Sequence, residues 1–191
     1  MNAFTVNLKP VLELTDEQFF NLCQANRDLK FERSATGELI IMPPTGGETG
    51  NKNARITQQL MNWTDADGTG IAFDSSTCFK LPNGADRSPD AAWIKLQRWN
   101  TLIDEQKEKF PPICPDFVIE LLSPSDSLKA AQEKMREYLD NGVQLGLLIN
   151  RKYRQVGIYR QGKEVEVLES PATISGEDVL KGFVLDLERI W

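Results

Sequence analysis

Apolar residues recur in two kinds of spacing along the chain, and the two predict different elements. A helical period predicts helices over about 16–27, 49–63 and 125–140. The first is the best marked, because Thr15 and Gln18 form a capping box that starts it. Runs of apolar and β-branched residues bounded by turn-type residues predict strands at about 31–33, 38–42, 71–81, 88–94, 116–122, 145–150, 156–159 and 164–168.

The order of these elements predicts the fold class. A strand at 116–122, a helix at 125–140 and a strand at 145–150 form a βαβ crossover, whose two strands lie parallel. Short Gly- and Asn-containing turns between other strands are typical of antiparallel hairpins. A polar stretch at 96–109 predicts a helical insertion. We therefore expect an α/β fold with a mixed central β-sheet flanked by helices and antiparallel hairpins, in a single domain over residues 1–191.

The composition removes several kinds of catalysis. The 191 residues include no histidine, which excludes Ser-His-Asp and Cys-His catalysis and every zinc site that needs an imidazole. The cysteines Cys23, Cys78 and Cys114 are far apart and form no CxxC pair, which argues against a zinc knuckle or redox motif and is typical of a reducing compartment. Carboxylates, lysine, arginine, hydroxyls and a hard metal ion are left to carry any chemistry.

Charge and hydropathy limit the binding partners and the cellular location that we expect. The net charge of −6 argues mildly against broad nucleic-acid binding, but a metal-dependent nuclease fits, because a bound cation inverts the field of clustered acids. No apolar run reaches the roughly 18 residues of a membrane span, and the first residues lack the basic and apolar segments of a signal peptide. We expect a cytoplasmic protein.

Glu120 is the first candidate for chemistry. It lies in the most apolar strand, and Val118 and Leu122 flank it on its own face. A central strand of a crossover sheet is buried on both faces, so an ionised carboxylate there is costly unless it is paired or bound to a metal. The alternative is a glutamate at a strand end that reaches solvent or pairs with an arginine. Asp90 by itself fits a turn aspartate after proline, but together the two acids could hold one Mg²⁺.

Lys134 and Glu48 are further candidates, each with a structural alternative. Lys134 borders the apolar stripe of helix 125–140, where a lysine often only extends its stem along apolar surface towards water. Glu48 stands at the entry to the helix at 49–63, where the helix macrodipole is a sufficient explanation for a carboxylate. The Gly-rich segment at 46–52 lacks the spacing of a phosphate-binding loop.

Four segments together resemble a known family. They are 43–48, 88–90, 115–126 and 134–143, and the stretch from 115 to 143 is the most specific part. In this order they resemble the Uma-type restriction endonuclease family of the PD-(D/E)XK nuclease superfamily, over nearly the whole chain. The resemblance implies a restriction-endonuclease-like fold and a divalent-metal site, with Mg²⁺ as the expected ion and Mn²⁺ as an alternative.

The resemblance also implies roles for individual residues. Asp90 and Glu120 match the two metal-binding acids, and the backbone carbonyl of Leu121 matches a third ligand. Glu48 matches, by position, the glutamate that the superfamily carries on a helix.

The catalytic lysine is where this chain departs from the superfamily pattern. The usual position of this lysine is occupied by Leu122. The family is similar to branches of the superfamily in which the lysine has moved to the next helix, where Lys134 is the match and Lys129 the fallback. Asn150 and Gly146 also stand where the family more often has an acid and an aromatic residue.

These roles imply Mg²⁺-dependent hydrolysis of DNA phosphodiesters, with Lys134 positioning the attacking water or neutralising developing charge. A homodimer is expected by analogy, because a two-fold duplex site suits two subunits. The alternative is a catalytically weak or inactive nucleic-acid-binding or interaction protein that retains the nuclease fold. A small-molecule enzyme has little support, because the chain has no dinucleotide fingerprint and no nucleophile elbow. The nuclease hypothesis requires Asp90 and Glu120 on the same side of the sheet, within about 4 Å.

Overall fold

Helices and strands alternate along residues 3–191, the part of the chain that the computed structural model describes. The helices of this part are α1 (Asp16–Ala25), α2 (Gly47–Asp67), α3 (Leu96–Trp99), α4 (Asp104–Glu108) and α5 (Leu128–Asp140). Its strands are β1 (Phe4–Val6), β2 (Lys30–Arg33), β3 (Leu39–Met42), β4 (Gly70–Asp74), β5 (Phe79–Lys80), β6 (Asp86–Arg87), β7 (Ala91–Lys95), β8 (Phe117–Leu122), β9 (Leu145–Asn150), β10 (Gln155–Arg160), β11 (Glu166–Glu169), β12 (Thr173–Ser175) and β13 (Val184–Asp186). Within this range, no helix has the length and apolar character needed to cross a membrane.

The main sheet has six strands in the order β11-β10-β9-β8-β7-β4. Strands β8 and β9 pair in parallel, and α5 connects them, so the predicted βαβ crossover is confirmed. The neighbouring pairs β7–β8 and β9–β10 are antiparallel, so the sheet is mixed, as predicted. A smaller antiparallel sheet has the order β1-β3-β2-β6-β5, and β12 pairs with β13.

Strand β8 lies at the centre of the core and is covered on both faces. Phe117, Ile119 and Leu121 pack on one face against α2 and the β12–β13 hairpin. Val118 and Leu122 pack on the other face against α5. Because side chains alternate along a strand, Glu120 lies on the α5 face between these two aliphatic neighbours.

Local signals set the ends of the helices. The predicted capping box of α1 is confirmed, because the Thr15 hydroxyl accepts from the Gln18 N–H and the Gln18 side chain accepts from the Thr15 N–H. Helix α2 extends beyond its predicted limits at both ends and stops at Gly68, whose φ of 70° is left-handed. Helix α5 begins later than predicted, at Leu128, because its N-cap is Ser127.

The single strand predicted at 71–81 is wrong in detail. Residues 71–81 form two strands, because Asp74 Oδ1 accepts hydrogen bonds from both the N–H and the hydroxyl of Ser76 and turns the chain. After this turn, β5 joins the smaller sheet instead of continuing beside β7. The polar stretch at 96–109 forms two short helices, α3 and α4, so the predicted helical insertion is confirmed.

The cysteines behave as structural residues. All three are free thiols, and Cys78 and Cys114 are buried. Burial raises the pKa of Cys23 to about 11 and that of Cys114 to about 12, so both remain protonated at neutral pH. Neither thiol therefore forms the thiolate that a cysteine nucleophile needs.

Gly70 gives a test of how tightly the main sheet is packed. A Cβ atom at this position would overlap the indole of Trp93, which is 1% exposed. We expect Gly70→Ala to lower the free energy of unfolding by about 1–3 kcal/mol, because a buried indole cannot move away without a wider shift. Gly50→Ala makes the same change in α2, where a Cβ meets nothing within 4 Å, and should stabilise by about 0.5–1 kcal/mol. Urea unfolding measures both, and equal midpoints for Gly70→Ala and wild type would contradict this packing.

Candidate active site

Asp90 and Glu120 come from neighbouring strands of the six-stranded sheet. Ala91 of β7 pairs with Ile119 of β8, and continuing this antiparallel register by one residue sets Asp90 opposite Glu120. Residues directly opposite in an antiparallel pair share a face, with Cβ atoms about 4.5–5.5 Å apart. The two acids therefore lie on the same side of the sheet, as the nuclease hypothesis requires.

The Asp90 carboxylate is held by donors from two different elements. Its Oδ2 accepts from the Leu121 N–H of β8 at 2.8 Å, and its Oδ1 accepts from Asn53 Nδ2 of α2 at 2.9 Å. Burial raises the pKa of Asp90, against the lowering influence of the Leu121 N–H and of the charges on Lys30 and Lys134. Each carboxylate oxygen uses one hydrogen bond, so acceptor capacity remains on both.

Glu120 receives its partners from α5. Its Oε1 accepts from Lys134 Nζ at 2.8 Å and from the Tyr138 hydroxyl at 2.9 Å. Lys134 and Tyr138 are one helical turn apart, which allows both to reach the same oxygen. The Lys134 side chain is only 18% exposed. The alternative in which this lysine extends into solvent is therefore wrong.

Glu32 completes the cluster, and no sequence motif marks it as a candidate. It lies in β2 of the smaller sheet, and its Oε1 accepts from Lys134 Nζ at 2.9 Å. The same carboxylate accepts from the Ser88 N–H at 2.9 Å and from Arg87 Nη1 at 3.1 Å. Alternation along β2 assigns Glu32 to the face opposite the buried Phe31, yet both residues are buried. Both faces of β2 are covered by other parts of the protein. The sequence of one short strand does not show that both of its faces are buried.

Arg87 extends the cluster to Glu137 of α5, with Nε and Oε2 2.6 Å apart. A continuous chain of ion pairs thus joins Glu120, Lys134, Glu32, Arg87 and Glu137. When all are ionised, these groups carry one uncompensated negative charge, and Asp90 beside Glu120 adds a second. With Lys30 left aside, the cluster and Asp90 thus have a net charge of −2, which one divalent cation would balance.

The pKa values follow from this arrangement. Burial raises the pKa of Glu120 to about 7; the charges of Asp90 and Glu32 add to this effect, and Lys134 opposes it. Burial also acts to raise the pKa of Glu32, but the cations Lys134 and Arg87 outweigh it and lower the value to about 2. Despite its burial, Lys134 has a raised pKa, because Glu120 and Glu32 favour the ammonium form. At neutral pH Lys134 is charged, Glu32 is ionised, and Glu120 is divided between its two forms.

Glu48 and Lys129 lie outside this cluster. The Glu48 side chain, in the first turn of α2, is 80% exposed and pairs with Arg151 at 3.4 Å. Within residues 3–191, no hydrogen bond connects Glu48 to the clustered side chains. Lys129 is 87% exposed and lies 3.8 Å from Glu133. Of the two lysines considered on this helix, the structure brings only Lys134 to the acids.

The positions that depart from the family pattern have structural roles. Leu122, at the usual lysine position, packs in the core beside α5. The space that a Cβ at Gly146 would need is filled by the terminal methyl of Met135. Asn150, at the end of β9, is buried at 7% exposure.

The donor set fits a hard divalent cation held by few side chains. In the described part of the chain, no group of three or more Cys, Asp or Glu side chains is arranged to hold a metal ion. Both hydrogen bonds to Glu120 fall on Oε1, and Oε2 accepts none from residues 3–191. Mg²⁺ is commonly bound through one or two carboxylates while it retains several waters. Asp90 and Glu120 meet that requirement, and backbone and water oxygens would complete the shell.

Removing Lys134 tests whether the ion pairs hold the cluster together. We expect Lys134→Met to lower the free energy of unfolding by about 3–5 kcal/mol at pH 8, because two buried carboxylates lose their common cation. The loss should be smaller at pH 5, where Glu120, with its pKa near 7, is protonated and needs no partner. Lys129→Met on the exposed side of α5 should stay within about 0.5 kcal/mol of wild type. If urea unfolding gave equal losses of unfolding free energy for the two variants at both pH values, Lys134 would not stabilise the cluster in this way.

Comparison with solved structures supports the fold. A crystal structure of "a putative nuclease belonging to DUF820" from Anabaena variabilis ATCC 29413 superposes with a TM-score of 0.77. The two sequences are 21% identical, and the match covers 93% of this chain and 97% of that one. The expected nuclease-like α/β fold is therefore confirmed. Comparison with curated proteins gives no match.

A family model provides the assignment. The model of the family Uma2, described as "Putative restriction endonuclease", matches residues 16–188. This range includes all the clustered side chains, from Glu32 in β2 to Tyr138 in α5. Because the match spans most of the sequence, the chain belongs to the Uma2 family.

Proposed function

We propose that this protein is a divalent-metal-dependent endonuclease that hydrolyses DNA phosphodiester bonds. The observation that carries the proposal is the meeting of Asp90, Glu120 and Lys134 at one edge of the main sheet, with Lys134 Nζ 2.8 Å from Glu120. Two adjacent carboxylates beside a half-buried ammonium group combine a cation site with a positive charge for a phosphate. Membership of a family described as restriction endonucleases favours DNA as the substrate.

Asp90, Glu120 and the backbone carbonyl of Leu121 would hold the cation, with Mg²⁺ or Mn²⁺ as the ion. The Leu121 N–H points towards Asp90, and in an extended strand the N–H and C=O of one residue point to the same edge. This geometry favours the Leu121 carbonyl as a third oxygen ligand. A bound divalent cation would polarise the phosphate and lower the pKa of a coordinated water.

Lys134 is assigned the electrostatic role in this proposal. Its ammonium group is charged at neutral pH and is held beside the acids by Glu32, so it is available to orient water or to neutralise charge that develops on the phosphate. Lys134, on α5, would thus take the role of the lysine that the superfamily pattern has on the strand, at the position of Leu122. Glu48 has less support, because its carboxylate is exposed and bound to Arg151; it remains a candidate for orienting water or a second cation.

Basic residues around the acids favour a nucleic-acid substrate despite the negative net charge. Lys30 lies close enough for its charge to lower the pKa of Asp90. Lys134 and Arg87 add two further positive charges within the cluster. Arg151 and Lys52 have other partners, because Arg151 pairs with Glu48 and Lys52 donates to the Arg189 carbonyl. A DNA backbone that approached the acids would therefore meet Lys30 and Lys134.

The alternative is a nucleic-acid-binding protein that retains the fold without cleaving. The observation that favours it is the Lys134–Glu120 contact itself, because Lys134 already neutralises a carboxylate that the metal needs. Metal binding helps to distinguish the two functions: the nuclease requires a cation that binds in competition with Lys134, and no stabilisation by millimolar Mg²⁺ or Mn²⁺ supports the binding protein.

Cleavage of supercoiled plasmid tests the proposed activity. We expect wild-type protein with Mn²⁺ or Mg²⁺ to cut the plasmid, and excess EDTA to abolish cutting. Asp90→Asn and Glu120→Gln keep the shape of each side chain and remove its charge, so each should reduce the rate by about 100-fold or more. A homodimer acting on both strands should give linear product, whereas a monomer should give mainly nicked circles.

Lys129→Met is the matched control for the charge of α5 and should cut at the wild-type rate. Circular dichroism at the assay temperature establishes that each variant is folded. Cleavage that persists in Glu120→Gln would contradict the assignment of the site. Absence of cleavage in wild type, together with no effect of either metal on the melting temperature, would favour the alternative function.

A further inference from the structure

Lys134 holds two carboxylates at once, and only one of them is a candidate metal ligand. Its Nζ lies 2.8 Å from Glu120 Oε1 and 2.9 Å from Glu32 Oε1. Glu120 comes from β8 of the main sheet, and Glu32 comes from β2 of the smaller sheet. The ammonium group therefore has a second anchor that does not depend on Glu120.

The Glu32 carboxylate is itself fixed from two sides. Oε1 also accepts from the Ser88 N–H, two residues before Asp90, and Oε2 pairs with Arg87. The Glu32 side chain is 4% exposed, so its position is set by these partners and not by solvent. Arg87 is held in turn by Glu137 at 2.6 Å. Glu32 is thus a rigid acceptor that also ties Lys134 to the segment carrying Asp90.

Charge balance shows why a second anchor matters. A cation bound by Asp90 and Glu120 would supply the positive charge that Lys134 now provides to Glu120, and the two positive charges would repel each other. A lysine held by Glu120 alone would then lose its partner, and its flexible stem would let the ammonium group leave the site. Because Glu32 is buried and bears a negative charge, departure of Lys134 would leave its Oε1 without a cation and Arg87 as its remaining charged partner among residues 3–191.

We propose that Glu32 is a positioning residue, which retains the Lys134 ammonium group at the active site when Glu120 exchanges that group for a divalent cation. In the metal-free protein Lys134 bridges both glutamates. When the cation site fills, Lys134 loosens its contact with Glu120 and keeps its contact with Glu32, which leaves the ammonium group beside the acids and available to a phosphate. This inference rests on the proposed function for the identity of the substrate, but not for the exchange itself.

The exchange predicts opposite effects on cation affinity for two neighbouring variants, which a purely structural role would not produce. Lys134→Met removes the competing cation, so Mn²⁺ should bind about tenfold more tightly than to wild type. Glu32→Gln leaves Lys134 with Glu120 as its one charged partner, so Mn²⁺ should bind about tenfold more weakly; tenfold is the size of an interaction that shifts a pKa by one unit. Glu38→Gln removes the same charge from the same hairpin and should match wild type, because among residues 3–191 the Glu38 side chain accepts hydrogen bonds from Ser34 and Thr36 and none from Lys134.

Isothermal titration calorimetry with Mn²⁺ on the four proteins, at pH 8 and a temperature where all are folded, is the test. The double variant Glu32→Gln/Lys134→Met adds a second readout. Once Glu32 is lost, further loss of Lys134 should reduce the plasmid-cleavage rate by less than about threefold, whereas independent roles would give additive losses. Unchanged Mn²⁺ affinity in Glu32→Gln, or weaker binding in both single variants, would overturn the inference.

These outcomes separate the inference from the proposed function. If the opposite shifts in Mn²⁺ affinity are found and wild type cuts no DNA, the exchange is supported and the nuclease function is rejected. If wild type cuts DNA in a metal-dependent manner and Glu32→Gln matches it in both affinity and rate, the nuclease function stands and the role of Glu32 is rejected.

Discussion

The ammonium group of Lys134 lies between two buried carboxylates from different sheets, and the rest of the site is arranged around the need to neutralise them. Burial of an unpaired ionised carboxylate costs several kcal/mol, so Glu120 and Glu32 each need a cation nearby when they are ionised. One lysine meets both needs and in doing so ties α5 to β8 and to β2. The same contacts that stabilise the junction of the two sheets therefore place a positive charge beside the candidate metal ligands.

This constraint explains why a leucine is acceptable at the position two residues after Glu120. On the α5 face of β8 the surroundings of Leu122 are apolar, and its side chain contributes to the core. The positive charge reaches Glu120 from the helix instead, one turn before Tyr138, whose hydroxyl donates to the same oxygen. The chain thus combines an apolar strand with a charged site by moving the cation to a neighbouring element.

The sequence predicts the parts of this site that depend on local pattern. Alternation along β8, with burial of a central strand on both faces, is enough to assign Glu120 to a buried face, and the βαβ order predicts the helix that connects β8 to its parallel neighbour. The choice of Lys134 over Lys129 follows from the resemblance to a family in which the lysine has moved. Glu32 could not be found in this way, because its burial comes from the packing of a second sheet and leaves no mark on a four-residue strand. The turn at Asp74, after which β5 joins that second sheet, was not predicted for a related reason. The turn changes which strands pair with each other, and the local strand propensity of residues 71–81 does not show this.

A crystal structure with Mn²⁺, located by its anomalous scattering, would show whether Lys134 gives up Glu120 to a cation. We expect one strong peak between the carboxylates of Asp90 and Glu120, near the carbonyl of Leu121. We also expect Lys134 Nζ farther than 2.8 Å from Glu120 and still in hydrogen-bond contact with Glu32. A structure soaked at saturating Mn²⁺ with no peak at these acids, and with Lys134 unmoved between the two glutamates, would contradict this exchange.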